Sequence, residues 1–292
     1  MTTVRLGSPS CNGLTYRLLL NRDGAFRSNE KRMTTLICGL TLVRHGETSY
    51  NRKGILQGQA IDSPLSNIGF KQADAAGLYL KDVKFSNVYV SDMLRARQTA
   101  ESILKHNCSC SASQINCDSL LKEKSFGIAE GQQVKEVKEL AKAAGQSFLD
   151  FTPPGGETGE QVKERFKAFW DKLLQQIGQE HWETHGGKSG SSVAPIQAPV
   201  EGRAHDGLQD APVHVLVVTH GAYMREAVKY FMENLNCSIP QVLNKSHMLS
   251  LSPNTGLCRF IVSLEKEKDS FRQTQIHCVF MHRADHLQPL GE

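Results

Sequence analysis

Two stretches of apolar, β-branched residues lie far apart in the chain, and both stop at His-Gly: Leu40-Thr41-Leu42-Val43-Arg44-His45-Gly46 and Val215-Leu216-Val217-Val218-Thr219-His220-Gly221. Such runs, closed by glycine, read as buried strands, and open α/β sheets place their ligands beyond the C-terminal ends of such strands. The pattern therefore predicts two imidazoles at one sheet edge. Between the runs, Ser66 can cap a helix to about Lys81 with Phe70, Ala73, Leu78 and Leu80 on its apolar side. A strand at Val88–Ser91 follows, then a helix from Asp92 to about Lys105. Residues 132–145 read as helical, Pro153-Pro154-Gly155-Gly156 breaks the chain, and an amphipathic helix runs from about Glu157 to Ile177. Its stripe of Phe166, Phe169, Trp170, Leu173 and Leu174 reads as core. The strand 213–219, a helix through about Asn234, and strands near 247–252, 257–264 and 274–281 complete the order. No internal repeat interrupts it. The βαβα sequence predicts an α/β fold, a three-layer α/β/α sandwich with a mostly parallel central sheet.

Composition sharpens the boundaries. Residues 1–33 show no sustained periodicity and read as a disordered extension, leaving 34–292 as the domain. Residues 178–212, rich in Gly, Ser, Pro, His and Ala, read as an insertion loop, mobile or lid-like. The formal charge of +4 resides entirely in the extension, where six Lys/Arg face Asp23 and Glu30; the remainder carries 28 basic and 28 acidic side chains. A neutral domain has no general pull on nucleic acid or an anionic membrane, so an anion site must be local. No apolar run approaches the roughly 18 residues that span a bilayer. The eight cysteines (Cys11, Cys38, Cys108, Cys110, Cys117, Cys237, Cys258, Cys278) form no C-x-x-C pair and read as reduced thiols, which makes the cytoplasm the expected compartment. The arginines of residues 1–33 and Leu18-Leu19-Leu20 weakly resemble a mitochondrial presequence, so a mitochondrial association is the other expectation; an alternative start or an untranslated stretch explains the segment equally well. Three glycosylation triplets, beginning at Asn107, Asn236 and Asn244, have no apolar leader before them and read as chance.

The chemistry lies at the strand ends. Arg44 is a planar cation suited to bidentate phosphate binding, and the imidazole of His45 carries a lone pair able to attack phosphorus. That pairing points to phosphoryl transfer through a phosphohistidine. Arg44-His45-Gly46 with Asn51, the stretch Ser91-Asp92-Met93-Leu94-Arg95-Ala96-Arg97-Gln98-Thr99-Ala100, then Leu121-Lys122-Glu123 and Thr219-His220-Gly221 form an ordered set. The set resembles the histidine phosphatase superfamily, the phosphoglycerate mutase-like clan, over about residues 36–285. Within it, Gly54-Ile55-Leu56-Gln57-Gly58-Gln59, Pro64-Leu65-Ser66, Phe151-Thr152-Pro153-Pro154-Gly155-Gly156-Glu157-Thr158 and Thr219-His220-Gly221-Ala222-Tyr223-Met224-Arg225 are similar to the fructose-2,6-bisphosphatase branch.

The resemblance implies that His45 is the nucleophile, that Glu123 protonates the leaving oxygen and later activates water, and that His220 completes the catalytic set. It implies that Arg44, Arg95, Asn51, Gln57, Gly58 and Gly221 bind the phosphoryl group, with no metal and no cofactor. The partner expected is a small phosphorylated sugar or glycerate, fructose-2,6-bisphosphate or 2,3-bisphosphoglycerate, and no protein partner is specified. Hydrolysis of the former would lower glycolytic flux, and the branch is tied to apoptosis and autophagy. Two rival readings fit the same fold: a broad or phosphotyrosine-directed phosphatase, and a non-catalytic interaction protein using residues 178–212.

Several residues carry competing readings. Glu130 and Glu136 rival Glu123 as the acid. Lys122 and Lys124 fit either a second phosphate or a solvated surface, while Lys135, Lys138 and Lys142 read as a solvated helix face. His181 and His185 have the i, i+4 spacing of a metal pair, but no H-E-x-x-H surrounds them and they read as a solvated loop. The stretch Gln132 to Asp150 contains no arginine, so the paired-arginine clamp of the mutase branch and the Tyr/Arg-rich cluster of the bifunctional bisphosphatases are both missing.

Overall fold

The computed structural model describes residues 34–111, 114–186 and 202–290. The extension read at 1–33 and residues 187–201 of the loop read at 178–212 lie outside these residues. The chain runs β1 (Leu36–Arg44), α1 (Ser49–Arg52), α2 (Asn67–Tyr79), β2 (Asn87–Ser91), α3 (Leu94–His106), β3 (Ile115–Asp118), α4 (Val134–Ala143), α5 (Gly159–His185), β4 (Val213–Thr219), α6 (Gly221–Glu233), α7 (Lys245–Met248), β5 (Leu257–Glu267) and β6 (Ser270–Arg283).

One six-stranded sheet has the order β3-β2-β4-β1-β5-β6. The strands β3, β2, β4 and β1 run parallel, and β5 and β6 are antiparallel additions beside β1. Side chains alternate across the pleat. Leu36, Leu40 and Leu42 of β1 join Phe166, Trp170 and Phe231 of α5 and α6 on one face. Val43 joins Val88 and Val218 with Ala76, Ala100 and Ile103 of α2 and α3 on the other. Helices thus cover both faces, giving the expected three-layer α/β/α sandwich with a mostly parallel sheet. No helix among the described residues is long and apolar enough to cross a membrane.

Register places the site. In the β1–β4 pair, Arg44 lies opposite Thr219, so the next residues, His45 and His220, leave adjacent parallel strands side by side. Gly46 must be small here, because a Cβ on it would approach Gly69 O to 2.6 Å.

Three local expectations need correction. Residues 247–252 are not a strand: Asn244 caps a single helical turn, accepting from His247 N at 2.8 Å, and the chain then bends. The short β3 was not anticipated. Finally, α5 does not stop at Ile177 but continues to His185. Gly178 does not end the helix; a Cβ there would lie 2.1 Å from Phe271 Cγ, so glycine permits close packing on β6. His181 is consequently helical rather than in a loop, and its Nε2 meets Asn87 Oδ1 at 2.9 Å. No group of three or more metal-ligating side chains occurs among the described residues.

Candidate active site

A cavity of about 350 Å³ opens at the C-terminal edge of the parallel strands. Arg44, His45, Asn51, Gln57, Gly58, Arg95, Glu123 and Gly221 all line it. His220 is fully buried beside them, its ring centroid 5.2 Å from that of His45. The residues singled out in the sequence are therefore brought together.

His45 Nδ1 lies 2.7 Å from Gly46 O. A carbonyl only accepts, so Nδ1 carries the proton and the Nε2 lone pair stays free. Burial, followed by the cations of Arg95 and Arg44, pushes the His45 pKa well below the ordinary 6.5 and keeps the ring neutral. The backbone beneath it is pinned: Gly46 N donates to Thr99 Oγ1 at 2.9 Å, and Asn254 Nδ2 donates to His45 O at 3.0 Å.

The two arginines are fixed by carbonyl oxygens. Arg44 Nη1 donates to Ser252 O at 2.7 Å, and Arg95 donates from Nη1 to Ile61 O at 3.1 Å and from Nη2 to Gly58 O at 2.9 Å. Neither guanidinium has a carboxylate in ion-pair distance among the described residues. Arg44 Nε, Arg95 Nε and His220 Nδ1 are buried and lack hydrogen-bond partners. Each unmet buried group costs about 1–3 kcal/mol. Such a cost is tolerated where a ligand completes the bonding: an anion accepts from both arginine Nε–H groups, and from His220 Nδ1 in the tautomer whose Nε2 accepts from the Ser91 hydroxyl. His220 Nε2 is 2.8 Å from Ser91 Oγ, and burial together with Arg95, His45 and Arg44 holds its pKa well below 6.5.

Glu123 sits against the N-terminus of α6. Its Oε1 accepts from Tyr223 N at 3.0 Å and from Lys124 N at 2.8 Å, whereas Oε2 accepts only from Ala222 N at 3.3 Å. The less engaged Oε2 is the oxygen suited to proton transfer. The rival Glu130 is spent as a clamp, accepting from Gln59 N, Ala60 N, Phe126 N and Ser125 Oγ. Glu136 is exposed on α4, as are Lys135, Lys138 and Lys142.

Asn51 completes a capping box with Thr48, its Oδ1 accepting from Thr48 N at 3.1 Å. The Gln57 side chain turns inward to Thr48 Oγ1 at 2.7 Å and Ser63 Oγ at 2.6 Å, so residues 57–58 reach the cavity through their backbone. Of the other cavity residues, the sequence left Lys124 open between a second phosphate and a solvated surface, and it did not single out Arg225, Glu226 or Asn254 as site residues. It also missed Arg165 and Glu157, which grip the Glu123 segment from α5 and the turn before it. For Arg165, Arg225 and Glu226 the local signal was charge on an otherwise apolar helix face.

Comparison with known proteins agrees with this geometry. The family described as the histidine phosphatase superfamily (branch 1) matches residues 40–188. The chain is 50% identical over 254 residues to a zebrafish protein described as probable fructose-2,6-bisphosphatase TIGAR A, covering 87% of this chain and 99% of that one. It is 43% identical to the Bos taurus fructose-2,6-bisphosphatase TIGAR, covering 82% of this chain and 93% of the relative. A phosphoglycerate mutase from Bacillus anthracis shares the fold, with a TM-score of 0.60, 22% identity, and coverage of 90% of this chain and all of its own. The chain belongs to the histidine phosphatase superfamily, branch 1.

Proposed function

We propose that this protein hydrolyses fructose-2,6-bisphosphate through a phosphohistidine on His45, without a metal. The observation that carries the reading is the His45–Gly46 hydrogen bond, which leaves a neutral imidazole with its Nε2 lone pair free beside buried, unpartnered N–H groups. Histidine-phosphatase-type hydrolysis of a small phosphoester is the broader activity that the family supports. The named activity of the TIGAR relatives favours fructose-2,6-bisphosphate over 2,3-bisphosphoglycerate.

In this reading the His45 lone pair forms a P–N bond as the P–O ester bond breaks. Glu123 gives its proton to the departing oxygen, and Gly46 O steadies the positive ring that results. Arg44, Arg95 and His220 donate to the non-bridging oxygens, helped by Asn51 and by the backbone of Gln57, Gly58 and Gly221, which lies at the start of α6. Water then attacks phosphorus, Glu123 takes its proton, and the P–N bond breaks to restore neutral His45. A cytoplasmic setting, in which consumption of the substrate lowers glycolytic flux, belongs to the same reading and is supported by the seven free thiols among the described residues.

Mixing the protein with fructose-2,6-bisphosphate and quenching in base tests the mechanism. An acid-labile phosphate should appear on His45 and be absent from His45→Ala. A label that survives this substitution, or turnover that requires added metal, overturns it. A parallel turnover screen of sugar bisphosphates, phosphoglycerates and phosphopeptides, with chelator present, tests the substrate assignment.

A further inference from the structure

The end of the cavity beyond Glu123 contains a cation with no assigned task. Lys124 is 3% exposed, yet it lines the cavity. Its Nζ makes one hydrogen bond, to Phe151 O at 2.9 Å, and rests 5.6 Å from the Phe126 ring. No carboxylate lies within ion-pair distance of it among the described residues. An ammonium has three N–H donors, so two remain for a ligand. Burial, opposed by the nearby Glu226 and Glu123 carboxylates and reinforced by Arg225, holds its pKa below the ordinary lysine value.

Its neighbours are already committed. Arg225 donates to Leu249 O at 3.0 Å, Glu226 Oε1 at 2.7 Å and Asp150 Oδ1 at 2.9 Å, so its charge is balanced locally. Lys229 lies 3.5 Å from both Glu226 and Asp150. Lys122, the alternative in the sequence, is half-exposed, lies 3.4 Å from Asp92 Oδ2 and does not line the cavity. Among the described cations at this end of the cavity, away from Arg44 and Arg95, Lys124 alone combines burial, access to the cavity and spare donors. Phe126, Phe148, Leu149 and Leu251 supply apolar walls beside it for a carbon skeleton.

We propose that Lys124 is a specificity-determining residue that binds the second phosphate of a bisphosphorylated sugar while the first is held at His45. The assignment rests on the phosphohistidine reading above. It also explains how a bisphosphate is recognised by a chain with no arginine between Gln132 and Asp150. The residue after the acid replaces an arginine cluster on the following segment.

The test compares kcat/KM for fructose-2,6-bisphosphate and p-nitrophenyl phosphate within single preparations of wild type, Lys124→Met and Lys124→Arg. A ratio of two substrates on one preparation does not depend on the fraction of folded enzyme. Losing one charge-assisted contact should reduce the bisphosphate-to-aryl ratio about 10- to 100-fold in Lys124→Met, mainly through KM. Lys124→Arg, which keeps the charge, should recover much of it. An unchanged ratio in Lys124→Met overturns the subsite while leaving the phosphatase reading intact. A wild type that turns over neither substrate and forms no phosphohistidine overturns both.

Discussion

Arg165 Nη2 donates to the backbone carbonyl oxygen of Glu123 at 3.2 Å, reaching from α5 to the residue assigned as the acid. The same guanidinium donates to Leu120 O at 2.7 Å and Lys122 O at 3.0 Å, and it forks onto Glu157 through Nε at 2.8 Å and Nη2 at 2.9 Å. Gln59 Nε2 bonds both Glu123 O, at 2.7 Å, and Glu157 Oε2, at 3.1 Å. One rigid fork thus holds the strand-like segment that presents Glu123. A lysine carries the charge but cannot reproduce this planar set of bonds.

Arg165 is therefore expected to act as a positioning residue. Arg165→Lys should lower turnover of sugar phosphates by about 10²-fold, the order of effect that a small misplacement of a catalytic group produces. Aryl phosphates, whose leaving group departs without a proton, should lose much less. The alkyl-to-aryl ratio of phosphorylation bursts measures this. A ratio unchanged from wild type, with only a lower melting temperature, would assign Arg165 to stability alone.

Replacing the proposed acid itself gives a sharper contrast. In Glu123→Gln the amide oxygen can occupy the Oε1 position, where Tyr223 N and Lys124 N donate, leaving the NH2 group in place of Oε2. The two shorter bonds are kept, the 3.3 Å bond from Ala222 N is given up because an NH2 group cannot accept it, and the transferable proton is lost. Bursts with sugar phosphates should fall by about 10²–10⁴, and bursts with p-nitrophenyl phosphate far less. Equal losses would reject Glu123 and direct attention to Glu226, another carboxylate on the cavity wall.

The edge that holds the candidate site was legible in the sequence because its signal is local. An apolar run closed by His-Gly states both the strand and the residue that leaves it, and two such runs made His45 and His220 candidates together. Arg44 and Arg95 were legible through the motifs that carry them. Arg165 was not, and Lys124 stayed open between a second phosphate and a solvated surface, since a charged residue next to another charge ordinarily faces water. Only tertiary packing buries Lys124 and turns Arg165 onto three carbonyls. The same limit explains α7, where the apolar residues Met248, Leu249 and Leu251 imitate a strand although Asn244 caps a helical turn. It also explains α5, where Gly178 resembles a stop until Phe271 is seen against it.

The buried histidines should make the fold sensitive to mild acid. Burial pushes His45, His214 and His220 well below 6.5, and His286 down to about 4. The unfolded chain binds protons on these imidazoles near pH 6.5 while the folded chain does not. Their contribution to stability is complete above that pH and is lost as pH falls toward the folded values. Each fully differing imidazole contributes a slope of about 1.4 kcal/mol per pH unit. Urea denaturation between pH 7.5 and 5 should show stability falling through this window, by several kcal/mol if all four act. A flat profile from pH 7 to 5 would contradict neutral burial of these rings.

Two glycines on the cavity wall separate backbone strain from steric conflict. Gly54 has φ +66° and Gly58 φ +60°, both in the left-handed region, where a Cβ costs about 1–2 kcal/mol. A Cβ on Gly54 meets nothing closer than Gln133 Oε1 at 3.7 Å, an ordinary contact. On Gly58 it would fall 2.2 Å from Glu130 Oε1, a carboxylate held by three backbone N–H groups and unable to yield cheaply. Gly54→Ala should therefore cost about 1–2 kcal/mol, and Gly58→Ala about 1–3 kcal/mol more. Because Arg95 Nη2 is anchored on Gly58 O, only Gly58→Ala should also weaken inhibition by inorganic phosphate. Urea midpoints rank the two costs, and phosphate inhibition constants report Arg95. Equal destabilisation by the two substitutions, with phosphate inhibition unchanged in both, would show that the Glu130 clamp relaxes freely and that residue 58 does not set the position of Arg95.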